Sequence, residues 1–194
     1  MKQIVGGTLG GEPGRLQTNF VSDRPAAWYA ELYKRDDLKG GHVIMLGPGN
    51  EAEARAALRA YSDGLQVGGG VSLDNAQAWL DAGASHVIVT SWVFREGQVD
   101  WERLAQLVET VGKSRLVLDL SCRRRGGGYF VVTDRWQKFT DLAISRESLE
   151  KLAAWCAEFL IHAVDVEGQC CGIDQELVSS LGQWSPIPTT YAGG

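Results

Sequence analysis

Two clusters of glycine follow short apolar segments and have the composition of phosphate sites. The first comprises Gly68, Gly69 and Gly70, and the second comprises Gly193 and Gly194. Backbone amides without a neighbouring Cβ can approach phosphate oxygens closely, so each cluster is typical of an anion site. The alternative, equally good for a single cluster, is that the glycines only permit tight turns after strands.

Asp119 is the strongest candidate for acid–base chemistry, because it lies near the end of the apolar segment 115–120. A carboxylate at the C-terminal end of a strand in a parallel α/β fold points to where such enzymes do chemistry. Burial there is expected to raise its pKa and keep the carboxyl protonated for acid catalysis. The alternative is that Asp119 caps the following loop through backbone N–H groups.

Four further polar residues lie at or beyond the ends of apolar segments. Thr90 and Ser91 are expected to add hydroxyl donors to the phosphate site of the first glycine cluster. His162 ends the segment 159–162 and either faces a ligand or packs in the wall. Asp165 is a weaker candidate for acid–base chemistry or substrate contact.

Other polar and aromatic residues have competing structural interpretations. His42 and His86 precede segments of strand character, the end where residues tend to serve stability. Arg123 begins a run of three arginines that could bring positive charge to a phosphate, but the three glycines beside it favour a mobile, solvated loop with at most one arginine engaged. Trp136 follows this loop and either stacks on a heteroaromatic ring or packs beneath the loop.

Short β-branched segments alternate with amphipathic helical stretches, which is typical of parallel βαβ units. The stretch 123–132 has the character of a hairpin, and Ser72 is expected to cap a helix. Helices are expected near 26–34, 51–61, 73–80, 101–111, 149–156 and 175–181, and strands near 42–46, 65–67, 86–89, 115–120, 159–162 and 187–192.

The alternation predicts one domain over residues 1–194, an incomplete TIM (β/α)8 barrel. Such barrels have eight βα units and about 250 residues, so the first strand and the last βα unit are expected to be missing. The two glycine clusters lie four units apart, so they would face each other across the barrel mouth. An open doubly wound sheet is the alternative.

The formal net charge of −5 and a pI near 5.2 argue against binding to nucleic acid, which needs a basic face. The sequence has neither a signal peptide nor an apolar run of membrane-spanning length, so a cytoplasmic location and no membrane contact are expected. Its four cysteines include no CxxC pair, which favours reduced thiols over a disulfide or a metal site.

Five segments, taken together, resemble the phosphoribosylformimino-aminoimidazole carboxamide ribotide isomerases, most closely the eukaryotic form. The similarity spans nearly the whole chain. The segments are residues 2–9 (KQIVGGTL), 65–70 (LQVGGG), 87–92 (VIVTSW), 118–123 (LDLSCR) and 162–168 (HAVDVEG).

The resemblance implies an Amadori rearrangement in histidine biosynthesis, on a small molecule with two phosphates, by a monomer that uses no metal or organic cofactor. Asp119 matches the family's fifth-strand general acid. The resemblance also implies that the family's first-strand carboxylate would precede Lys2 and that its eighth strand would follow Gly194. Val164 stands where bacterial relatives have a threonine, so that residue's role is not carried over.

Two other functions remain open at this point. The sister cyclase of the same pathway uses a related barrel and would add a surface for an amidotransferase partner. The other is a noncatalytic fragment that only binds phosphate, although a barrel open at both edges would expose sheet edges and apolar surface and favour aggregation.

Overall fold

The structure is a computed structural model that describes residues 2–5, 8 and 17–194. Gly6, Gly7 and Leu9 of the first family-like segment, and the glycine-rich loop 10–14, lie outside the described residues. The strands are β1 (Lys2–Ile4), β2 (Thr18–Val21), β3 (Gly41–Ile44), β4 (Leu65–Gly68), β5 (His86–Val89), β6 (Phe94–Arg95), β7 (Gln98–Val99), β8 (Leu116–Asp119), β9 (Cys122–Arg125), β10 (Gly128–Thr133), β11 (Lys138–Ala143), β12 (Glu158–His162) and β13 (Thr189–Ala192). The α-helices are α1 (Ala26–Arg35), α2 (Glu51–Ala60), α3 (Ala76–Asp81), α4 (Trp101–Val111), α5 (Arg146–Ala153) and α6 (Gln175–Trp184).

A parallel sheet of six strands, in the order β3-β4-β5-β8-β12-β13, organises the fold. Each strand pairs with the next one of the sheet along the chain, and the order never reverses. Because parallel crossovers are right-handed, connections that run in one direction leave their helices on one face of the sheet. A doubly wound sheet reverses its order at a switch point, so the described strands form part of a (β/α)8 barrel instead.

Alternate residues of the strands face opposite sides of the sheet, as the two-residue period requires. The side chains that face the helices join one large core, and Val67, Leu118 and Phe159 are among its fully buried members. The opposite, inner face carries a small separate cluster of Ile88, Val117 and Leu160. Burial of each such side chain contributes roughly 1.5–3 kcal/mol, so both faces stabilise the curved sheet.

The six helices and six core strands agree with the sequence prediction to within a few residues. One expected feature is absent: Ser72 does not cap a helix. Its backbone N–H donates to Oδ1 of Asn75 at 3.0 Å, and α3 begins only at Ala76. None of the helices in the described ranges is long and apolar enough to cross a membrane.

The stretch after β8 forms an ordered antiparallel sheet in the order β11-β10-β9. The predicted hairpin is therefore confirmed, but the prediction that at most one of the three arginines is engaged is wrong. All three arginines have partners, in the loop after β12, on α6 and among the aromatic residues of the hairpin itself. Arg123 Nε lies 2.8 Å from Asp165, Arg124 Nη2 lies 2.7 Å from Glu176, and the Arg125 guanidinium stacks 4.2 Å from the ring centre of Phe130.

Two small hairpins escaped the sequence analysis. One is β6–β7, and the other is β1–β2, which lies against the loop after β12. Asn19 Nδ2 donates to the carbonyl oxygen of Gly168 at 2.7 Å. This contact brings Ile4 and Phe20 to the rim of a large cavity beside the parallel sheet.

Candidate active site

A cavity of about 1240 Å³ opens at the C-terminal ends of the parallel strands. Polar residues in or after β3, β4, β5, β8 and β12 line it, and this end of the strands is where barrels of this class hold their ligands. Several of the residues singled out from the sequence line this cavity together. They are Gly69, Gly70, Thr90, Ser91, Asp119, Trp136 and His162.

Asp119 is the most highly connected side chain of the cavity wall. Its Oδ2 accepts a hydrogen bond from Thr90 Oγ1 at 3.0 Å, and its Oδ1 accepts from the backbone and hydroxyl of Ser121 at 2.8 and 2.6 Å. His162 Nδ1 lies 3.7 Å from Oδ1, which is ion-pair distance. Asp119 therefore caps its own loop and also faces the cavity, so the two interpretations of this carboxylate hold together.

The electrostatics of the Asp119–His162 pair favour the charged form of each partner. Burial alone raises the pKa of Asp119, but the adjacent His162 and the hydrogen bonds from Ser121 outweigh it and hold that pKa below its usual value. Burial lowers the pKa of His162, but the negative charges of Asp119 and Glu167 outweigh it and raise that pKa. The prediction that burial keeps Asp119 protonated is therefore wrong, because it ignored the imidazole on the neighbouring strand.

Two titratable residues of the cavity were missed or misplaced by the sequence analysis. Glu167 lines the cavity close enough to His162 for its charge to act on that imidazole. His42 lies within β3 rather than before it, and its side chain lines the cavity. Burial lowers the pKa of His42, so its imidazole is neutral. The position of Glu167 just after β12 could have identified it, because the residues that follow parallel strands form the barrel mouth.

The first glycine cluster contains three different environments. Gly68 lies within β4, where an added Cβ would come 2.9 Å from Ile44 Cδ1, and it does not line the cavity. Gly69 has a φ of +90°, and a Cβ there would overlap the backbone carbonyl of Met45. Gly70 has a φ of +72° and open space around it. Packing thus explains Gly69, whereas Gly70 is exposed and lines the cavity.

Ser91 and Trp136 connect the wall of the cavity to the β10–β11 turn. Ser91 Oγ accepts a hydrogen bond from the backbone N–H of Asp134 at 3.1 Å. The ring of Trp136 lies 5.6 Å from that of His162, centroid to centroid, with the planes tilted by 43°. Trp136 therefore stands over the Asp119–His162 pair, and Ser91 holds the turn that carries it.

The second glycine cluster follows β13, four strands from β4 as the sequence predicts, but neither glycine lines the cavity. Gly193 packs against Ala163, and the N–H of Gly194 donates to the carbonyl of Val166 at 3.2 Å. Their binding of a second phosphate stays a prediction.

Arg123 and Asp165 also lie away from the cavity. Their side chains pair with each other at 2.8 Å, and Asp165 additionally accepts the backbone N–H of Arg124 at 2.9 Å. The expected contact of Arg123 or Asp165 with substrate has no support from these positions, because each side chain already serves to fasten β9 to the loop after β12. Within the part of the chain that the structure describes, no cluster of three or more His, Cys, Asp or Glu side chains could hold a metal ion.

Comparison with known proteins gives one consistent family. The profile of a family described as "histidine biosynthesis protein" matches residues 9–194. A relative from Medicago truncatula is 58% identical over 203 residues, which cover 100% of this chain and 64% of that protein. It is named as a chloroplastic 1-(5-phosphoribosyl)-5-((5-phosphoribosylamino)methylideneamino)imidazole-4-carboxamide isomerase.

Fungal relatives carry the same isomerase name. The protein from Yarrowia lipolytica is 50% identical over 202 residues, and the chain covers 76% of it. The protein from Saccharomyces cerevisiae is 48% identical over 201 residues, with 77% of its length covered. The chain thus spans just under two thirds of the plant relative and about three quarters of these fungal relatives.

Proposed function

The chain belongs to the histidine biosynthesis protein family, and from this premise we propose that it isomerises an aminoaldose with two phosphoribosyl groups to the corresponding aminoketose. The names of the relatives support this substrate, because they contain two phosphoribosyl groups joined through an imidazole carboxamide. They also favour the isomerase over the cyclase of the same pathway. The finer assignments below rest on the geometry of the cavity.

The ion pair between Asp119 and His162 carries this proposal. An Amadori rearrangement needs an acid that protonates the ring oxygen as the ring C–O bond breaks, and a base that removes the proton from C2 of the opened sugar. An imidazolium beside a carboxylate holds one proton at the edge of the cavity, with His162 as the donor and Asp119 as its counterion. We therefore propose His162 as the proton donor with Asp119 as its counterion, whereas the sequence-based assignment makes Asp119 itself the general acid.

The second step requires a basic group in the same cavity. Glu167 is suited to this role, since it lines the cavity and its charge acts on His162. Removal of the C2 proton gives an enaminol, and tautomerisation of the enaminol gives the ketone at C2 and a CH2 group at C1. No electrons leave or enter the substrate, so the two side chains supply all the chemistry that this proposal needs.

Gly70 and Trp136 are proposed to contact a phosphate and the imidazole carboxamide of the substrate. Gly70 lines the cavity and has no Cβ, so its backbone amide is the proposed contact for a phosphate oxygen. The indole of Trp136, beside His162, suits the flat imidazole carboxamide. Gly193 and Gly194 remain the proposed contacts for the second phosphate.

The proposal is tested by following conversion of the bisphosphorylated aminoaldose by the protein and by its Asp119→Asn and His162→Asn variants. General acid–base groups contribute roughly 10²- to 10⁴-fold, so each variant is expected to lose at least about 100-fold in kcat. Asp23→Asn, an exposed change on the loop before α1, is the matched control. Unchanged kcat in both active-site variants would contradict the proposal, and product formation that requires ammonia would indicate the cyclase.

Two further proposals concern the cellular context of the protein. A cytoplasmic location and a monomeric state are predictions from the sequence and from the resemblance. The plant relative is named as chloroplastic, so the compartment differs within the family. Fractionation of the source cells and size-exclusion chromatography with light scattering would test the two predictions.

A further inference from the structure

Ser91 follows β5, the strand beside β4, and contacts the turn that carries Trp136. Ser91, Gly69 and Gly70 all line the cavity, and so do all three residues of the turn, Asp134–Trp136. The oxygen of the Ser91 hydroxyl accepts the backbone N–H of Asp134 at 3.1 Å. Because a hydroxyl can accept and donate at once, the proton of Ser91 remains available to an anion in the cavity.

The turn has an unusual backbone that depends on such contacts. Asp134, Arg135 and Trp136 have φ values of 51°, 58° and 66°, so three consecutive residues other than glycine are left-handed. Residues in this region are strained and keep the conformation only where their surroundings hold them there. Besides Ser91, hydrogen bonds from the N–H of Gln137 to Thr133 O at 3.0 Å and from Gln137 Nε2 to Arg135 O at 3.2 Å restrain the turn, and Lys138 pairs with Asp134 on the surface at 2.7 Å.

We propose that Ser91 couples the binding of a phosphate at Gly70 to the position of Trp136. A phosphate oxygen that accepts the Ser91 hydroxyl polarises that hydroxyl and strengthens the bond it accepts from Asp134. The stronger bond holds the left-handed turn and keeps the indole over His162. Ser91 is thus a positioning residue, and the coupling rests on the phosphate site of the proposed function.

Thr90, the neighbouring hydroxyl, does not have this role. Its Oγ1 donates its only proton to Asp119 Oδ2 at 3.0 Å, so it supports the carboxylate and has no proton left for an anion. The two adjacent residues at the end of β5 therefore have separate tasks. Thr90 orients Asp119 of the acid–base pair. Ser91 couples binding of the anion to the position of Trp136 above that pair.

The test uses inorganic phosphate and the fluorescence of Trp136. The chain has seven tryptophans, so the Trp136 signal is taken as the difference between each protein and its Trp136→Phe counterpart. Phosphate binding is measured separately by calorimetry. In the native protein we expect the Trp136 fluorescence to change saturably as phosphate is added. The Kd from this titration should equal the Kd from calorimetry.

Ser91→Ala is expected to reduce that fluorescence change at least about fivefold while Kd for phosphate rises by no more than about tenfold, the effect of one lost hydrogen bond. Ser91→Thr keeps a hydroxyl and should restore the change. Ser72→Ala is the matched control, because Ser72 lines the same cavity but makes no hydrogen bond to the turn among the described contacts.

The outcomes separate this inference from the proposed function. A full Trp136 response in Ser91→Ala, or none in the native protein despite calorimetric binding of phosphate, would overturn the coupling and leave the phosphate site intact. Absence of any phosphate binding to the native protein would overturn both.

Discussion

His162 Nδ1 lies 3.7 Å from Asp119 Oδ1, and the two residues end neighbouring parallel strands, β12 and β8. Their side chains are only 16% and 13% exposed, so water screens their charges weakly. Each partner favours the charged form of the other. The pair therefore links the acid–base chemistry of the cavity to the stability of the fold.

The ion pair should give the free energy of unfolding a characteristic dependence on pH. The pKa of Asp119 is lowered on folding, so its contribution is complete above the ordinary value of 3.8 and is lost as pH falls through the lowered pKa. The pKa of His162 is raised, so its contribution is complete below 6.5 and is lost as pH rises through the raised pKa. We expect the pair's contribution to be greatest between these two values, as measured by urea unfolding at a series of pH values.

Variants at both positions isolate the pair from other titrating groups. His162→Asn should leave a buried carboxylate without its counterion and cost about 3 kcal/mol at pH 5.5. The double variant with Asp119→Asn should cost less than the sum of the single changes, since the residues touch. Additive costs, with an unaltered pH profile, would mean that no ion pair forms.

Gly69 and Gly70 should respond differently to the same substitution. Gly69→Ala forces a Cβ into the carbonyl of Met45 and should lower the free energy of unfolding by more than about 3 kcal/mol. Gly70→Ala meets open space and should cost only about 1–2 kcal/mol, from the positive φ. The Gly70 variant should nevertheless weaken phosphate binding, because the methyl group shields the amide from the cavity.

Denaturant unfolding and phosphate calorimetry on both variants check this contrast. Gly126→Ala, also at positive φ with open space but in the β9–β10 turn, controls for the backbone cost alone. A Gly70 variant that binds phosphate as well as the Gly126 variant does would remove Gly70 from the anion site.

The sheet was predictable because each core strand is a short apolar segment and each helix has one apolar stripe. Segments such as 86–89 and 159–162 were therefore placed almost to the residue. The β1–β2 hairpin was missed because Thr18–Val21 is exposed throughout and shows no apolar periodicity. Its position depends on Asn19 and Gly168, which are distant in the sequence, and no local pattern encodes such a contact.

The site was predictable in its residue types but not in its electrostatics. Asp119 could be located because a carboxylate ending an apolar strand is conspicuous. Its ionisation depends on His162, on a strand that adjoins β8 only in the folded sheet. The arginines were misjudged for a similar reason, since Asp165 and Glu176 approach them only after the hairpin folds against α6.

We expect the hydroxyl of Tyr129 to help hold the β9–β10 hairpin against the residues before α6. This hydroxyl donates to Asp174 Oδ2 at 2.7 Å and accepts a hydrogen bond from Arg124. Tyr129→Phe should lower the free energy of unfolding by about 1–2 kcal/mol and leave kcat unchanged, because the hydroxyl lies away from the cavity. Burial, and secondarily the hydrogen bond to Asp174, raises the pKa of Tyr129 to about 12. The loss of unfolding free energy should therefore be the same throughout the neutral pH range.

Thermal and urea unfolding of Tyr129→Phe, with Tyr33→Phe as control, test this role. Tyr33 is 41% exposed and its hydroxyl has no hydrogen bond within the described ranges, so its loss should cost less than about 0.5 kcal/mol. Equal effects of the two changes would show that the Tyr129 hydroxyl does not hold the hairpin.

Arg135 is the middle residue of the left-handed turn, and its side chain makes no ion pair among the described contacts. A residue other than glycine costs roughly 1–2 kcal/mol in this conformation, whereas glycine costs roughly 0.5–1 kcal/mol through its greater freedom in the unfolded chain. Arg135→Gly should therefore raise the free energy of unfolding by about 0.5 kcal/mol. Because the relaxed turn then depends less on Ser91, the Trp136 response to phosphate should also shrink. Arg135→Lys is the control: it keeps the backbone cost and should match the native protein in both the free energy of unfolding and the Trp136 response. If Arg135→Gly stabilises the protein but leaves the Trp136 response undiminished, strain in the turn is unrelated to the position of Trp136.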